Sequence, residues 1–486
     1  MCCRNVPHDP GCCRFWTLLA AAGDRKDEVL ATIVHIARSK LICDHDIFAR
    51  ARALPTIAVL AVVDVLLTLD FEPRRQVTRN REAQLIASHM RIAFSVPKER
   101  EYFRSGYPSE PLLAEAAARQ MDHFQTLTPD NNVMLETLLY EFKSGLLDQG
   151  QRGEVVFRLL LLEAYRRGVR KDHANDSPYN FSKGCTLITF IKELFSKDYA
   201  QLILDSKPNN IQLATTLQMA FKDAIVRFTH FGKMADDTGT TTHAMFAAFV
   251  RCMAITGWSS QETVDILIPV LRHRDEKLSE SAMTGLLIQV KRRNQKGTTQ
   301  KYDIYQEKFQ FFPSPAAETT DMRPYVTLVA EVGVQRKISH AAYTAVLVRQ
   351  KLLKSAPNPL ATVGTSKIST ADPESLFIPA QPKTIHHPRI VHPRYSVFAY
   401  GCSPKVYSVI GESDKSGYKT LLGNRDMLDE HPRKDDASLL AVRTMKPFWS
   451  AGLGCYKWIQ NEFLRMYEKW EDDDGGLAVA TFEGDT

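Results

Sequence analysis

Asp265 stands at the head of one apolar segment, Asp265-Ile266-Leu267-Ile268-Pro269. Gln289 and Lys291 stand at the tail of another, Gly285-Leu286-Leu287-Ile288-Gln289-Val290-Lys291. Two such segments joined by a polar turn read as a hairpin. Antiparallel pairing then brings a carboxyl, an amide and an ammonium to one end of a sheet. Side chains alternate along a strand, so Gln289 and Lys291 share a face while Val290 points into the core. A carboxylate beside a second oxygen ligand can hold Mg²⁺, which lowers the pKa of a bound water, and a neighbouring Lys offsets the charge of a phosphodiester transition state. Glu280 on the connecting turn is a further candidate metal ligand beside Asp265 and Gln289, and Glu262 precedes the pair. Lys291 to Lys301 holds five basic residues and no acidic one. Arg292, Arg293, Lys296 and Lys301 therefore fall where a nucleic-acid backbone, DNA before RNA, would enter.

An Asp before one strand and an acidic-x-Lys triplet in the next, with Gln in place of the acid in some members, is the signature of the restriction-endonuclease-like superfamily (PD-(D/E)xK), and this stretch resembles it. The helix before Asp265 and the later segment Tyr325 to Ala330 follow that family's α-β-β-β-α-β order. The resemblance implies that Asp265 and Gln289 face the metal and that Lys291 is the catalytic lysine. Gln is a poorer Mg²⁺ ligand than Glu, and Pro269 cannot donate to a ladder, which places its strand at an edge or a bulge. Segments Leu54 to Pro111 and Arg227 to Tyr305 further resemble transposon-associated fungal proteins of the Crinkler and RHS effector type. In that class a P-loop NTPase precedes a restriction-endonuclease-like domain. Here no G-x-x-x-x-G-K-[ST] occurs, since Gly232-Lys233-Met234 lacks the upstream Gly and the hydroxyl.

The elements that must position these residues follow from the rest of the chain. A length of 486 residues exceeds one usual core, so at least two domains are expected. Hydrophobic residues at 44% and charged residues at 24% are a globular balance, which excludes a disordered or fibrous chain. The net charge of +6 is too small to imply nucleic acid by itself, so the argument rests on the local basic run. Helical periodicity covers Asp27 to Ile42, Glu82 to Phe94, Pro111 to Phe124, Gly153 to Gly168 with Gly168 as a C-cap, and Leu187 to Phe195. Leu54 to Leu69 carries Asp64 and is too short to span a bilayer, so it reads as a buried helix. After Ala220 a helix at Phe246 to Ile255 precedes apolar strands at Ile266 to Leu271, Leu286 to Val290, Tyr325 to Ala330 and Tyr395 to Tyr400. Further helices are expected at Asp435 to Met445 and Tyr456 to Trp470.

The expected architecture is α+β and multidomain, with a helical N-terminal half followed by a mixed α/β restriction-endonuclease-like domain. Residues 1–23 are a tail, 24–225 a helical domain, and 226–450 the α/β domain with a Pro-rich insertion at 354–393. Residues 451–486 are a helix and an acidic tail. The expected function is nucleic-acid binding with Mg²⁺-dependent endonuclease chemistry or its degenerate relative. The alternative is a non-catalytic helical module that binds protein.

Other chemistry is weaker. Cys2-Cys3 and Cys12-Cys13 lack zinc-knuckle spacing and read as reduced thiols of an intracellular chain, nuclear or cytoplasmic. Acylation is a lesser reading, and Phe15 to Ala22 resembles a secretory core only poorly. His386, His387 and His392 lie among prolines without acidic or Cys neighbours. Asp236-Asp237 precedes a helix start capped by Thr241 or Thr242. Arg158, Arg166, Arg167 and Arg170 read as a solvated face beside a Leu stripe, and Trp449, Tyr456, Trp458 and Trp470 as core.

Overall fold

The computed structural model describes residues 12–71, 76–96, 98, 104–147, 151–234, 239–257, 264–292, 304–305, 311–313, 322–333, 336–337, 392–422, 471–472 and 476–480. The chain forms two compact units. One comprises Met1–Gln335, His392–Asp426 and Asp473–Thr486, the other Arg336–Val391 and Met427–Asp472. The Pro-rich segment before His392, the helices expected at 435–445 and 456–470, and Trp449, Tyr456, Trp458 and Trp470 lie outside the described residues.

The larger unit opens with helices: α1 (Cys12–Ala21), α2 (Lys26–Ile42), α3 (Thr56–Leu67) and α4 (Gln76–Ser88). A small hairpin, β1 (Ile92–Ser95) and β2 (Arg104–Gly106), follows, so the periodicity of 82–94 ends as helix at Ser88. Then come α5 (Pro111–Leu127), α6 (Val133–Ser144) and α7 (Arg152–Asp172). The apolar run 54–69 does fold as α3, with every position from Ala58 to Leu67 buried. Helix α7 runs straight through Gly168. A Cβ at Gly168 would stand 2.9 Å from the Cys185 sulfur, so this glycine permits close crossing by the next strand and is no C-cap.

The rest of this unit is a mixed sheet with helices between its strands. In chain order these are β3 (Cys185–Thr186), α8 (Leu187–Leu194), α9 (Lys197–Leu204), α10 (Leu217–Ala220), β4 (Ile225–Val226), β5 (His230–Lys233), α11 (Thr242–Val250) and β6 (Met253–Thr256). The segment 246–255 thus divides at Cys252, whose φ of 52° turns the chain from helix into strand. Thr241 caps α11 through the Ala244 N–H. The long strands β7 (Ile266–Leu271), β8 (Met283–Lys291) and β9 (Tyr325–Glu331) come next. In the other unit β10 (Arg336–Lys337) pairs antiparallel with β12 (Glu471–Asp472). The larger unit is completed by β11 (Arg394–Tyr400), α12 (Lys415–Leu422) and β13 (Gly476–Val479), the last a strand within the expected acidic tail.

The sheet order is β13-β11-β9-β8-β7-β4-β3, with β6 and then β5 branching from β7. β7 and β8 are antiparallel, while β8, β9 and β11 are parallel to one another. Pro269 sits inside β7, which is flanked on both sides and is not an edge. On the flank away from β8, β6 pairs with Ile266 and Leu267 and β4 with Val270 and Leu271. The proline falls in the gap between those two short partners, where a missing N–H costs no ladder bond.

Alternation along the strands divides the core. Ile266, Ile268, Leu286, Ile288, Val290, Leu328 and Ala330 pack with the helices from α2 to α8. Leu267, Leu271, Met283, Leu287 and Val329 pack with Met245, Ala248 and Phe249 of α11. Covering both faces explains why these strands are apolar along nearly their whole length. The fold is α+β. Residues 24–225 share one core with the sheet, so no division of the molecule falls at 225/226. Among the described residues no helix is long and apolar enough to cross a membrane.

The arginines of α7 are not a solvated face. Arg158 and Arg166 are buried. Arg158 donates to the Leu67 and Thr68 carbonyls at 2.6 and 2.7 Å, closing the C-terminus of α3. Arg166 lies 3.1 Å from Glu163 and 3.6 Å from Asp122, Arg170 pairs with Asp122, and Arg167 donates to the carbonyls of Ser408 and Val409. His392 stacks on Phe312 at 3.7 Å and sits 3.0 Å from the Arg323 carbonyl, a packing role. Arg158→Met should lower unfolding free energy in urea by about 2–4 kcal/mol by leaving two buried carbonyls without a donor. A loss below about 0.5 kcal/mol would contradict the capping role.

Candidate functional site

The strands β5, β6, β8, β9 and β11 all run in one direction, and β7 runs against them. Their carboxyl ends therefore meet at one rim of the sheet, where the head of β7 also lies. In open sheets of this kind, ligands bind at the carboxyl ends of the strands. Lys233 ends β5, Thr256 ends β6, Lys291 ends β8 and Glu331 ends β9.

Asp265 precedes Ile266, which is paired with Ile288, so one further step of the register places Asp265 opposite Gln289. Its N–H donates to the Ile288 carbonyl at 2.8 Å, and its carbonyl accepts from the Gly257 N–H at 2.7 Å. Its carboxylate accepts a 2.5 Å hydrogen bond from the N–H of Val290, the residue between Gln289 and Lys291. The register and this bond place Asp265, Gln289 and Lys291 at neighbouring backbone positions at one end of the hairpin. Gln289 is buried, 2% exposed, and Lys291 is half-buried. In the parallel register of β8 with β9, Lys291 lies beside Glu331, which is also buried.

A fourth group comes from α7. The first turn of this helix lies against the strand ends, where a Cβ on Gly153 would meet Arg292 at 3.2 Å, Val332 at 3.6 Å and Val290 at 3.8 Å. The close approach brings Glu154, on the same turn, into the field of Lys291 and Asp265. Burial pushes the Glu154 carboxyl up, and Asp70 adds to that shift while Arg158, Lys233 and Lys291 oppose it. Lys233 is itself bound to Asp70 at 2.8 Å. Burial likewise pushes the Asp265 carboxyl up to about 6; the Val290 N–H and Lys291 lower it and Glu154 raises it. The rim thus gathers carboxyls whose charged forms are costly next to partly buried cations. Perturbed carboxyls of this kind cluster at functional sites.

Glu280 does not belong to the set. It lies in the turn that joins β7 to β8, at the opposite end of the hairpin, with its carboxylate 3.5 Å from His243. The geometry that brings Asp265 to Lys291 necessarily sends the connecting turn away. Arg292 is half-buried against the α7 turn, where burial lowers its pKa. Glu262, Arg293, Lys296, Lys301 and Asp236-Asp237 lie outside the described residues. Sequence reading missed Glu154, Glu331 and Lys233. Glu331 was signalled weakly, as the first charged residue after an apolar strand, whereas Glu154 depends on a tertiary contact.

A family described as a domain of unknown function (DUF8736) matches residues 49–337, more than half of the chain. This chain is a member of the DUF8736 family. No curated protein and no solved structure matches it. The DUF8736 span contains Glu154, Lys233, Asp265, Gln289, Lys291 and Glu331, so the rim from β5 to β9 lies within it, whereas β11 and β13 lie beyond.

The raised Asp265 pKa has a signed consequence for stability. The folded chain holds this proton more tightly than the unfolded chain, whose value is 3.8, so ionisation between about pH 4 and pH 6 costs folded-state stability. The penalty is absent below that window and complete above it. Asn at this position keeps an acceptor for the Val290 N–H and carries no charge. Asp265→Asn should therefore be more stable than wild type by about 2 kcal/mol in chelator at pH 8, with the difference closing by pH 4. Chemical denaturation across pH checks this, and equal stability at pH 8 would contradict it.

Proposed function

We propose that this rim binds nucleic acid and hydrolyses its phosphodiesters with Mg²⁺, on a restriction-endonuclease-like arrangement of α7, β7, β8 and β9. The observation that carries the reading is the hydrogen bond from the Val290 N–H to the Asp265 carboxylate, because it fixes that carboxylate on the strand end that bears Gln289 and Lys291. The order of a helix, an antiparallel hairpin and a following parallel strand supports it.

The donor set fits a hydrated hard cation. Among the described residues no group of three or more His, Cys, Asp or Glu side chains is placed to enclose a metal. The rim offers two neighbouring carboxyls, Asp265 and Glu154, and Mg²⁺ characteristically takes one or two carboxylates and completes its shell with water and phosphate oxygens. Asp265 and Glu154 are the residues that would hold it, and the repulsion of Asp265 by Glu154, together with the burial of both, is the cost that a cation would offset. When bound, Mg²⁺ supplies a water of lowered pKa and positive charge for a phosphate oxygen. Lys291 stands on the adjacent strand end to stabilise charge that develops on the phosphorus oxygens. Arg292 and the basic residues after it attract the backbone, DNA before RNA, without reading sequence.

A second reading, a binding protein that has lost catalysis, is favoured by Gln289. Its amide is closed off from solvent on the α11 side of the sheet, a poor position for a ligand to a hydrated ion. Protein partners through the helical residues belong to the same reading.

Incubating the purified chain with double-stranded DNA and Mg²⁺ separates the readings. The nuclease reading expects cleavage that chelator abolishes and that Lys291→Ala and Asp265→Ala each reduce by about 100-fold or more. Equal cleavage in all three proteins would contradict it. Binding without cleavage, weakening steeply between about 50 and 200 mM salt, would establish the second reading.

A further inference from the structure

A cavity of about 590 Å³ opens in the larger unit at the other end of β7, lined by Leu271, Arg274, the first turn of α5, the end of α7 and the segment Asn180–Thr186. Leu271 is six residues from Asp265, about 20 Å along an extended strand, so this is a second place and not an arm of the rim. Its size falls in the range of small-molecule sites, roughly 300–1,000 Å³.

The charges in its walls are unevenly committed. Both acidic residues are already used by the fold. Glu115 accepts from Arg119 at 2.7 Å, the Ser182 hydroxyl at 2.7 Å and the Phe181 N–H at 3.1 Å. Asp172 accepts from the Thr186 N–H at 2.7 Å and the Thr189 hydroxyl at 2.8 Å, holding the start of α8. Lys183 pairs with Asp176. Arg227 and Arg274 have no carboxylate partner among the described residues: Arg227 donates to the Ser182 carbonyl at 2.6 Å and lies over the Phe249 ring, and Arg274 is exposed. Between them the wall is apolar, with Leu112, Ile225, Phe249 and Leu271.

We infer that this cavity binds a small organic anion, with its phosphate or carboxylate on Arg227 and Arg274 and its apolar body against Phe249, Leu112 and Ile225. Two arginines supply the forked donors that such groups prefer, and the carboxylates of the wall, Glu115 and Asp172, are bonded to other partners. A cavity of this volume accepts a ligand of mononucleotide size. The inference stands independently of the chemistry at the rim.

The test is calorimetric titration of the full chain, with thermal unfolding alongside, using AMP, UMP, decanoate and inorganic phosphate as separate probes. The two nucleotides and the fatty acid distinguish a phosphate-headed from a carboxylate-headed ligand, and inorganic phosphate tests the head alone. At least one organic probe is expected to bind and raise the midpoint, at a concentration where inorganic phosphate does neither. Arg274→Gln, at an exposed position that the fold does not need, and Arg227→Gln are each expected to weaken that binding about tenfold. Asp265→Ala should leave it unchanged. No binding by any organic probe, binding by inorganic phosphate as tight as by the organic anions, or unaltered affinity in Arg274→Gln would overturn the assignment.

Discussion

A helix enclosed on nearly every side must find an answer for each charge it carries, and α7 is in that position. Its buried positions run from Arg152 to Val169, and they include three arginines, Arg152, Arg158 and Arg166, and Glu163. An unpaired charge in such surroundings costs several kcal/mol, so the charges determine what may pack beside the helix. Arg158 closes the end of α3, Arg166 and Arg170 engage Asp122 of α5, and Arg167 holds the carbonyls that precede α12. The helices and the sheet are thereby tied into one core through a single element.

The same constraint creates the rim. Glu154 is carried into a partly buried position because Gly153 lets the first turn of α7 approach the ends of β8 and β9. There its charge reaches Asp265, itself held by the Val290 N–H, and adds to the cost of ionising the Asp265 carboxyl. The nearby cations, Lys233 and Lys291, come from the ends of β5 and β8, Lys233 paired with Asp70 and Lys291 beside Glu331 in the register of β8 with β9. Burial is the main reason that ionising either acid is costly, and a proton or a nearby cation relieves that cost. The proposed chemistry uses that cost as affinity for a divalent ion.

How much of this was legible depended on range. The long apolar strands β7, β8, β9 and β11 could be read from composition because both faces of the sheet are covered, and α3 could be read for the same reason. The meeting of Asp265 with Gln289 and Lys291 followed from hairpin register alone, a local rule. The misplacement of Glu280 came from applying that rule halfway, since the turn of a hairpin must lie opposite its open end. Pro269 looked like an edge marker because nothing in the sequence shows that β4 and β6 share one flank of β7 and leave a gap between them. Strands β3, β4 and β5, two to four residues long, carry too few alternations to register as periodic. Glu154, Lys233 and the internal roles of the α7 arginines depend on contacts between residues far apart in the chain, which no local pattern contains.

The central claim is that Asp265, supported by Glu154, holds a divalent cation at the carboxyl ends of the strands. Mn²⁺, a paramagnetic stand-in for Mg²⁺, tests it without reference to turnover, by following the loss of the free-ion signal in electron paramagnetic resonance as the full chain is titrated at pH 8. The account predicts binding in wild type that is weakened at least about tenfold in Asp265→Ala and in Glu154→Gln. Mn²⁺ binding that is absent from wild type, or that is the same in all three proteins, would contradict it.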